Sequence, residues 1–234
     1  MKLRPSGVTR GAAYAAGAAA LGYAALVGWH RSRYGKVHHV AEPGTDELLD
    51  RFIPSPEVLE RHRIEIAAPT EVVLEAAKQM RLLDSPMVRA IIKARELAMG
   101  GAPDPRSHPS ELLEQMQSIG WVILAERPGR EVVVGAATVP WHANPVFRSI
   151  AAGEFEAFRE PGYVKIAWSL RVDPIDASHC TFHTETRVST TEPQARERFR
   201  RYWSFVAPGV ELIRLAMLKP LKREAERRAA QRAA

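Results

Sequence analysis

Residues 163–173 read Tyr-Val-Lys-Ile-Ala-Trp-Ser-Leu-Arg-Val-Asp, and residues 180–189 read Cys-Thr-Phe-His-Thr-Glu-Thr-Arg-Val-Ser. Both runs alternate, and side chains alternate between the two faces of a strand. In the first, Val164, Ile166, Trp168, Leu170 and Val172 share a face. In the second, Cys180, Phe182, Thr184, Thr186 and Val188 share one face, and His183, Glu185 and Arg187 share the other. Immediately afterwards the period changes. Phe199, Tyr202, Trp203, Val206, Val210, Ile213 and Met217 recur at near-helical spacing, with Arg196, Arg200, Arg201 and Arg214 assigned to the opposite side. Thr191 is the expected N-cap, Pro193 stands in the first turn, and Pro208-Gly209 is expected to kink or interrupt the helix. Two strands followed by a long amphipathic helix predict a sheet that closes on a C-terminal helix.

Working backwards, Trp121–Glu126 and Glu131–Val139 read as a hairpin joined by Arg127-Pro128-Gly129-Arg130. Trp141–Ala152 is irregular, and Glu154–Phe158 is a candidate short strand. Ser110 starts a short helix that Gly120 stops, after the Pro-rich loop 102–109. Ser85-Pro86 opens a helix ended by Gly100-Gly101. Pro69-Thr70 opens another through about Leu83, and His62–Ala67 is a first strand. The chain is thus divided into a basic segment at 1–36, a linker at 37–61 with a helical turn near 46–52, a domain at 62–221 and a basic solvated tail at 222–234.

The formal charge of +6 is unevenly spread. The first 36 residues carry Lys2, Arg4, Arg10, Arg31, Arg33 and Lys36 and no acid; from Gln194 onward basic residues again dominate, so Val37–Pro193 is acidic, at about −7. Basic residues interleaved with aromatics, the footprint of a nucleic-acid face, are lacking, so no nucleic-acid partner is expected. Gly11–Trp29 holds no charged residue. As a helix its length is close to the thickness of a bilayer, with Trp29 at one end, and it reads as a single-pass membrane span. A cleaved signal peptide and an Ala-rich soluble helix are the alternatives. Basic residues flank both ends almost equally; the domain is placed on the cytoplasmic side because nothing in it demands an oxidising compartment.

The chemistry-bearing residues are few. Cys180 is the one cysteine and reads as a small buried apolar residue. His183 with Glu185 would form a base and its orienter if their face lined a cavity. The pattern instead puts them on the convex face as a solvent-side charge ladder with Arg187. His142, in the loop Trp141-His142-Ala143-Asn144, is a candidate at a cavity mouth. Arg171 and Asp173 read as a surface pair. No phosphate loop, dinucleotide fingerprint, nucleophile elbow or helical zinc pair is present, so neither metal nor cofactor is expected.

The order of strand, helices, antiparallel strands and long helix resembles the SRPBCC or START-like superfamily, which includes polyketide cyclases. The resemblance rests on Ile64–Val73, Gly120–Glu126, Thr184–Val188 and Phe199–Trp203, and covers about 160 residues. It implies an α+β helix-grip fold with a cavity between sheet and helix for a hydrophobic small molecule such as a lipid, isoprenoid or polyketide-like compound. Trp168, Leu170, Phe182, Phe199, Trp203 and Val206 are the expected ligand-binding residues; equally, these side chains could simply fill a core. The functions this leaves open are a membrane-anchored ligand binder, a cyclase or aromatase using a cavity histidine (His142 or His183) as acid and base, and an interaction module without ligand.

Overall fold

The computed structural model describes residue 22 and residues 46–233. Helix α1 (Glu47–Phe52) leads into strand β1 (Val58–Ile66), helix α2 (Thr70–Lys78) and a 3-10 turn at Leu82–Asp84. Helices α3 (Pro86–Met99) and α4 (Leu112–Ser118) follow, then strands β2 (Val122–Arg127), β3 (Glu131–Thr138) and β4 (Phe147–Arg148). A short helix α5 (Ala152–Phe155), strands β5 (Val164–Pro174) and β6 (Cys180–Thr190), and helix α6 (Pro193–Ala233) complete the chain. The strands form one antiparallel sheet in the order β1-β6-β5-β3-β2, with β4 beside β3.

The local causes are legible. Ser85 caps α3 by accepting the Val88 N–H through its hydroxyl, Pro86 fits the first turn, and Gly100 closes the helix in the left-handed region at φ 68°. In β5 and β6 the register sets Trp168 opposite Thr186 and Leu170 opposite Thr184, so their concave-face side chains meet. Those faces and α2 enclose one core, with Ile66, Val73, Val134, Leu170, Phe182, Met217 and Leu221 among its members. A second concave cluster, around Val58, Val188, Phe199 and Trp203, sits nearer the start of α6.

The convex face has its own core. Leu49, Phe52 and Ile53 pack on Leu124, Val133, Ala137, Phe155 and Ala167. The stretch expected as part of a linker therefore carries a helix that covers the sheet. Gly135 permits the close approach: a Cβ there would lie 2.4 Å from Leu124 Cδ1 and 2.9 Å from the Phe155 ring.

Several expectations are corrected. The solvent-side charge ladder of the convex face is buried: Glu185 and Arg187 are 3% and 1% exposed under α1. Residues 152–155 are helical, not a strand, and Lys165 Nζ donates to the carbonyls of Phe155 and Glu156 at 2.9 Å each. Pro208 and Gly209 do not interrupt α6. Both are buried, and a Cβ at Gly209 would stand 3.0 Å from Ile91 Cγ2, so this pair lets α3 lie close to the helix. The stretch expected as a solvated tail continues α6. Its Ala225 is buried, Glu226 accepts the Ala67 N–H at 3.1 Å, and Arg228 donates to Gln79 at 2.7 Å. Thr191 joins Tyr163 through hydrogen bonds in both directions rather than capping α6.

The expected membrane span at 11–29 and the hydrophobic N-terminal helix lie outside the described residues, Gly22 apart. No helix among the described residues is long and apolar enough to cross a membrane, so the single-pass membrane placement, and with it the cytoplasmic orientation and the membrane as a partner, is withdrawn.

Gly135→Ala is expected to lower stability by about 1–3 kcal/mol, because Leu124 and Phe155 must shift to admit the methyl group. Urea unfolding of the two proteins measures it; equal midpoints would show that the convex layer has slack.

Candidate functional site

The two apolar clusters on the concave face are separated by a polar group of side chains. His62 on β1 pairs in register with Thr184 on β6, and Glu60 with Thr186. Thr184 Oγ1 accepts from Trp168 Nε1 at 2.6 Å and from an Arg214 guanidinium nitrogen at 3.4 Å. Another Arg214 nitrogen donates to Thr186 Oγ1. The guanidinium lies over the Trp168 ring, 5.5 Å from its centroid. Arg214 thus reaches from the helix onto the sheet in the middle of the grip.

Two polar atoms here have no hydrogen-bond partner, Arg214 Nε and His62 Nε2. Leaving such a group unsatisfied costs about 1–3 kcal/mol. Burial pushes the Arg214 pKa down to about 10, with Glu60 opposing the shift. Burial also lowers the His62 pKa, and the Arg214 charge lowers it further, against Glu60 and Glu211. His62 is therefore a largely neutral imidazole at neutral pH, able to donate or accept at Nε2 according to tautomer. A neutral imidazole and a guanidinium, each with one unpartnered nitrogen, thus stand together on the concave face, with Glu60 close enough to act on both.

A separate cleft of about 360 Å³ lies between α3 and α6. Met87, Ala90, Ile91 and Ala94 line one wall, and Phe205, Val206, Gly209 and Leu212 the other. Arg95 stands at its edge, with its guanidinium committed elsewhere. It donates to Tyr202 Oη at 3.3 Å and to the carbonyls of Pro140, His142 and Ala143 at 3.1–3.3 Å. Arg95 therefore fastens the 140–143 loop to both helices, and the cleft it borders is apolar.

The residues expected to act are placed as follows. Trp168, Leu170 and Phe182 belong to the larger concave core; Phe199 and Trp203 stack at 5.5 Å in the smaller one. Of the six, only Val206 lines the cleft. His142 is exposed, and its carbonyl is held by Arg95. His183 lies on the convex face, 3.3 Å from Asp173, which also takes Arg171 at 2.5 Å. Glu185 bonds to Arg187 at 2.7 Å and Arg61 at 2.5 Å. His142, His183 and Glu185 are not brought together. Cys180 is buried, and burial pushes its thiol up to about 11.

The sequence pattern does not point to Arg214 or His62 as site residues. Its charge sets Arg214 on the side away from the sheet, yet Val210, Arg214, Met217, Leu218 and Leu221 follow the i, i+4, i+7, i+8, i+11 pattern of a single face. That spacing was the available signal. A different triplet imitates a hydrolase: His108 lies 3.0 Å from Ser118 Oγ and 3.0 Å from Asp104 Oδ2. The Ser118 hydroxyl donates to the Gln115 carbonyl at 2.8 Å, and the N–H groups of residues 119–121 are bonded to carbonyls of the preceding turn. No backbone donor is left there for an oxyanion, and the triplet reads as a fastening of loop 102–109.

No family model matches the chain, and no curated protein matches it. Solved structures similar to it include a conserved protein from Geobacillus kaustophilus, at 10% identity over 74% of this chain and 96% of that one, with a TM-score of 0.31. The Zhui aromatase/cyclase from Streptomyces sp. R1128 is 18% identical over 73% and 94%, with a TM-score of 0.26. A START superfamily protein from Mycobacterium smegmatis is 9% identical over 74% and 97%, also with a TM-score of 0.26. Such distant likenesses carry no ligand and no reaction across to this chain.

Arg214→Met is expected to leave the melting temperature unchanged or to raise it, since an apolar side chain replaces a charge taken out of water. Calorimetry tests this. A fall of more than about 6 °C, corresponding to roughly 2–3 kcal/mol at this size, would make Arg214 a stabilising residue and not one kept for a ligand. The sheet order and the helix it grips give the chain an α+β helix-grip fold.

Proposed function

We propose that the protein binds a hydrophobic small molecule along α6. The observation that carries this reading is the cleft between α3 and α6. Its volume of about 360 Å³ lies within the range of small-molecule sites, and its walls are apolar over nearly their whole surface. Arg95 spends its donors on Tyr202 and three carbonyls, so the cleft offers an uncharged, apolar ligand no strong competitor for water. A lipid, isoprenoid or polyketide-like body fits that chemistry. Trp168, Leu170, Phe182, Phe199 and Trp203 would meet the ligand only if it passed inward between helix and sheet, where Arg214 and His62 would take an oxygen of it.

A second reading, an acid–base enzyme of cyclase or aromatase type, is favoured by one observation. His62 presents an unpartnered Nε2 beside Arg214 on the concave face, so an imidazole and a fixed positive charge stand together. In that reading His62 takes the acid–base role expected of His142 or His183, because His142 is exposed and His183 faces the other way.

The neutral fluorophore N-phenyl-1-naphthylamine tests the first reading. Saturable fluorescence enhancement is expected with the natural chain and at least tenfold weaker binding with Ala94→Trp, which fills the cleft from an exposed helix position. Absence of saturable enhancement, or equal binding by the variant, would overturn it.

A further inference from the structure

We propose that α1 is a proton-dependent clasp: a carboxyl pair, Asp46 and Glu131, holds it to the convex face by sharing one proton, and the hold loosens when that proton is lost. The two side chains are 3% and 1% exposed. Asp46 is the N-cap of α1. One of its oxygens accepts the Leu49 N–H at 2.9 Å, and the other accepts the Ser169 hydroxyl at 2.8 Å. Glu131 stands at the start of β3 with both carboxyl oxygens buried and no donor from any neighbour within hydrogen-bonding distance. After burial, Asp46 is the neighbour that raises the Glu131 pKa, and a buried carboxyl with no donor beside a second carboxyl is held only when it carries a proton.

The surrounding charges do not remove that requirement. From β2, Arg127 approaches Glu131 only to 3.7 Å and spends its closer contact, 2.7 Å, on Glu47 of α1. From β5, Arg171 lies opposite Glu131 in register and is bonded to Asp173, which also takes Arg130 and His183. From β6 and β1, Arg187 and Arg61 converge on Glu185, and Arg187 also reaches Asp50 and the Ile53 carbonyl. The Arg187 contacts hold the C-terminal end of α1, so the pair governs the N-terminal end, where the chain enters the helix.

The sign follows from the position of the proton. Burial, then the neighbouring Asp46, push the Glu131 pKa up to about 8. With α1 lifted away, water reaches the carboxyl and the proton leaves near the ordinary carboxylate pKa of about 4.3. Between those values the docked state holds one proton more than the released state. Each unit rise in pH therefore favours release by up to tenfold, an effect present up to about pH 8 and exhausted above it.

Hydrogen exchange of the full chain, corrected for the intrinsic pH dependence of exchange, tests the clasp. Protection of residues 46–53 is expected to fall more than tenfold between pH 6 and pH 8.5, while that of β5 and β6 holds. Glu131→Gln keeps a neutral donor in place and is expected to flatten the dependence. Asp46→Asn, which keeps the cap but removes the second carboxyl, is expected to do the same. Constant protection of 46–53 in the natural chain, loss of protection across the whole domain at once, or an undiminished pH dependence in whichever variant folds would each overturn the proposal.

Discussion

The contact on which the rest of this structure depends is the burial of α6 in the concave face of the sheet. Phe199, Trp203, Met217, Leu218 and Leu221 all lose their exposure there, each large apolar side chain contributing about 1.5–3 kcal/mol when fully buried. A helix of 41 residues gripped in this way has little freedom, despite Pro208 and Pro220 within it. The hydrogen bonds that proline forfeits are small beside what the sheet returns. The grip also orders what lies beside it: α2 seals one end, and α3 packs along the flank where Gly209 allows it to approach.

A sheet with both faces covered must satisfy the polar groups of both. Here the two faces solve the problem differently. On the convex side Arg187, Glu185, Arg61 and Asp50 compensate one another, and the burden falls on α1 as the cover. On the concave side Arg214 is only partly compensated by two threonine hydroxyls. A charge kept in such a place is seldom kept for stability, since an apolar side chain would fill the volume at less cost. This is the physical ground for looking at the middle of the grip for recognition, while the cleft between α3 and α6 is the place proposed for the apolar body of a ligand.

Much of the fold was legible in the residues. The alternation at 163–173 and 181–189, and the change to helical spacing after Thr191, are local signals with a fixed geometric cause. The order of elements followed from them, and the helix-grip arrangement from that order. The site was far less legible. Val206 lines the cleft between α3 and α6, while Phe199 and Trp203, expected to share a cavity with it, pack together in the concave face. The charge of Arg214 argues for the outer side of α6, although its spacing from Val210 and Met217 belongs to the buried side. His62 carried no signal at all, since its importance comes only from facing Thr184 across a strand pair more than a hundred residues apart in sequence.

By itself, then, the sequence determined the strands, the long helix and which side chains share a face, because those depend on periods of two and 3.6 residues written in neighbouring positions. It also made Cys180 a buried residue and the β2–β3 connection a hairpin. The tertiary structure alone decided which face is covered and by what. Glu185 and Arg187 lie on the face expected for them, but α1 comes from a stretch more than a hundred residues away and buries them. The same holds for the helix-grip interior, where Arg214 and His62 acquire their meaning. Burial, unpartnered donors and shared protons arise between segments distant in the chain, and no local period records which segments will meet.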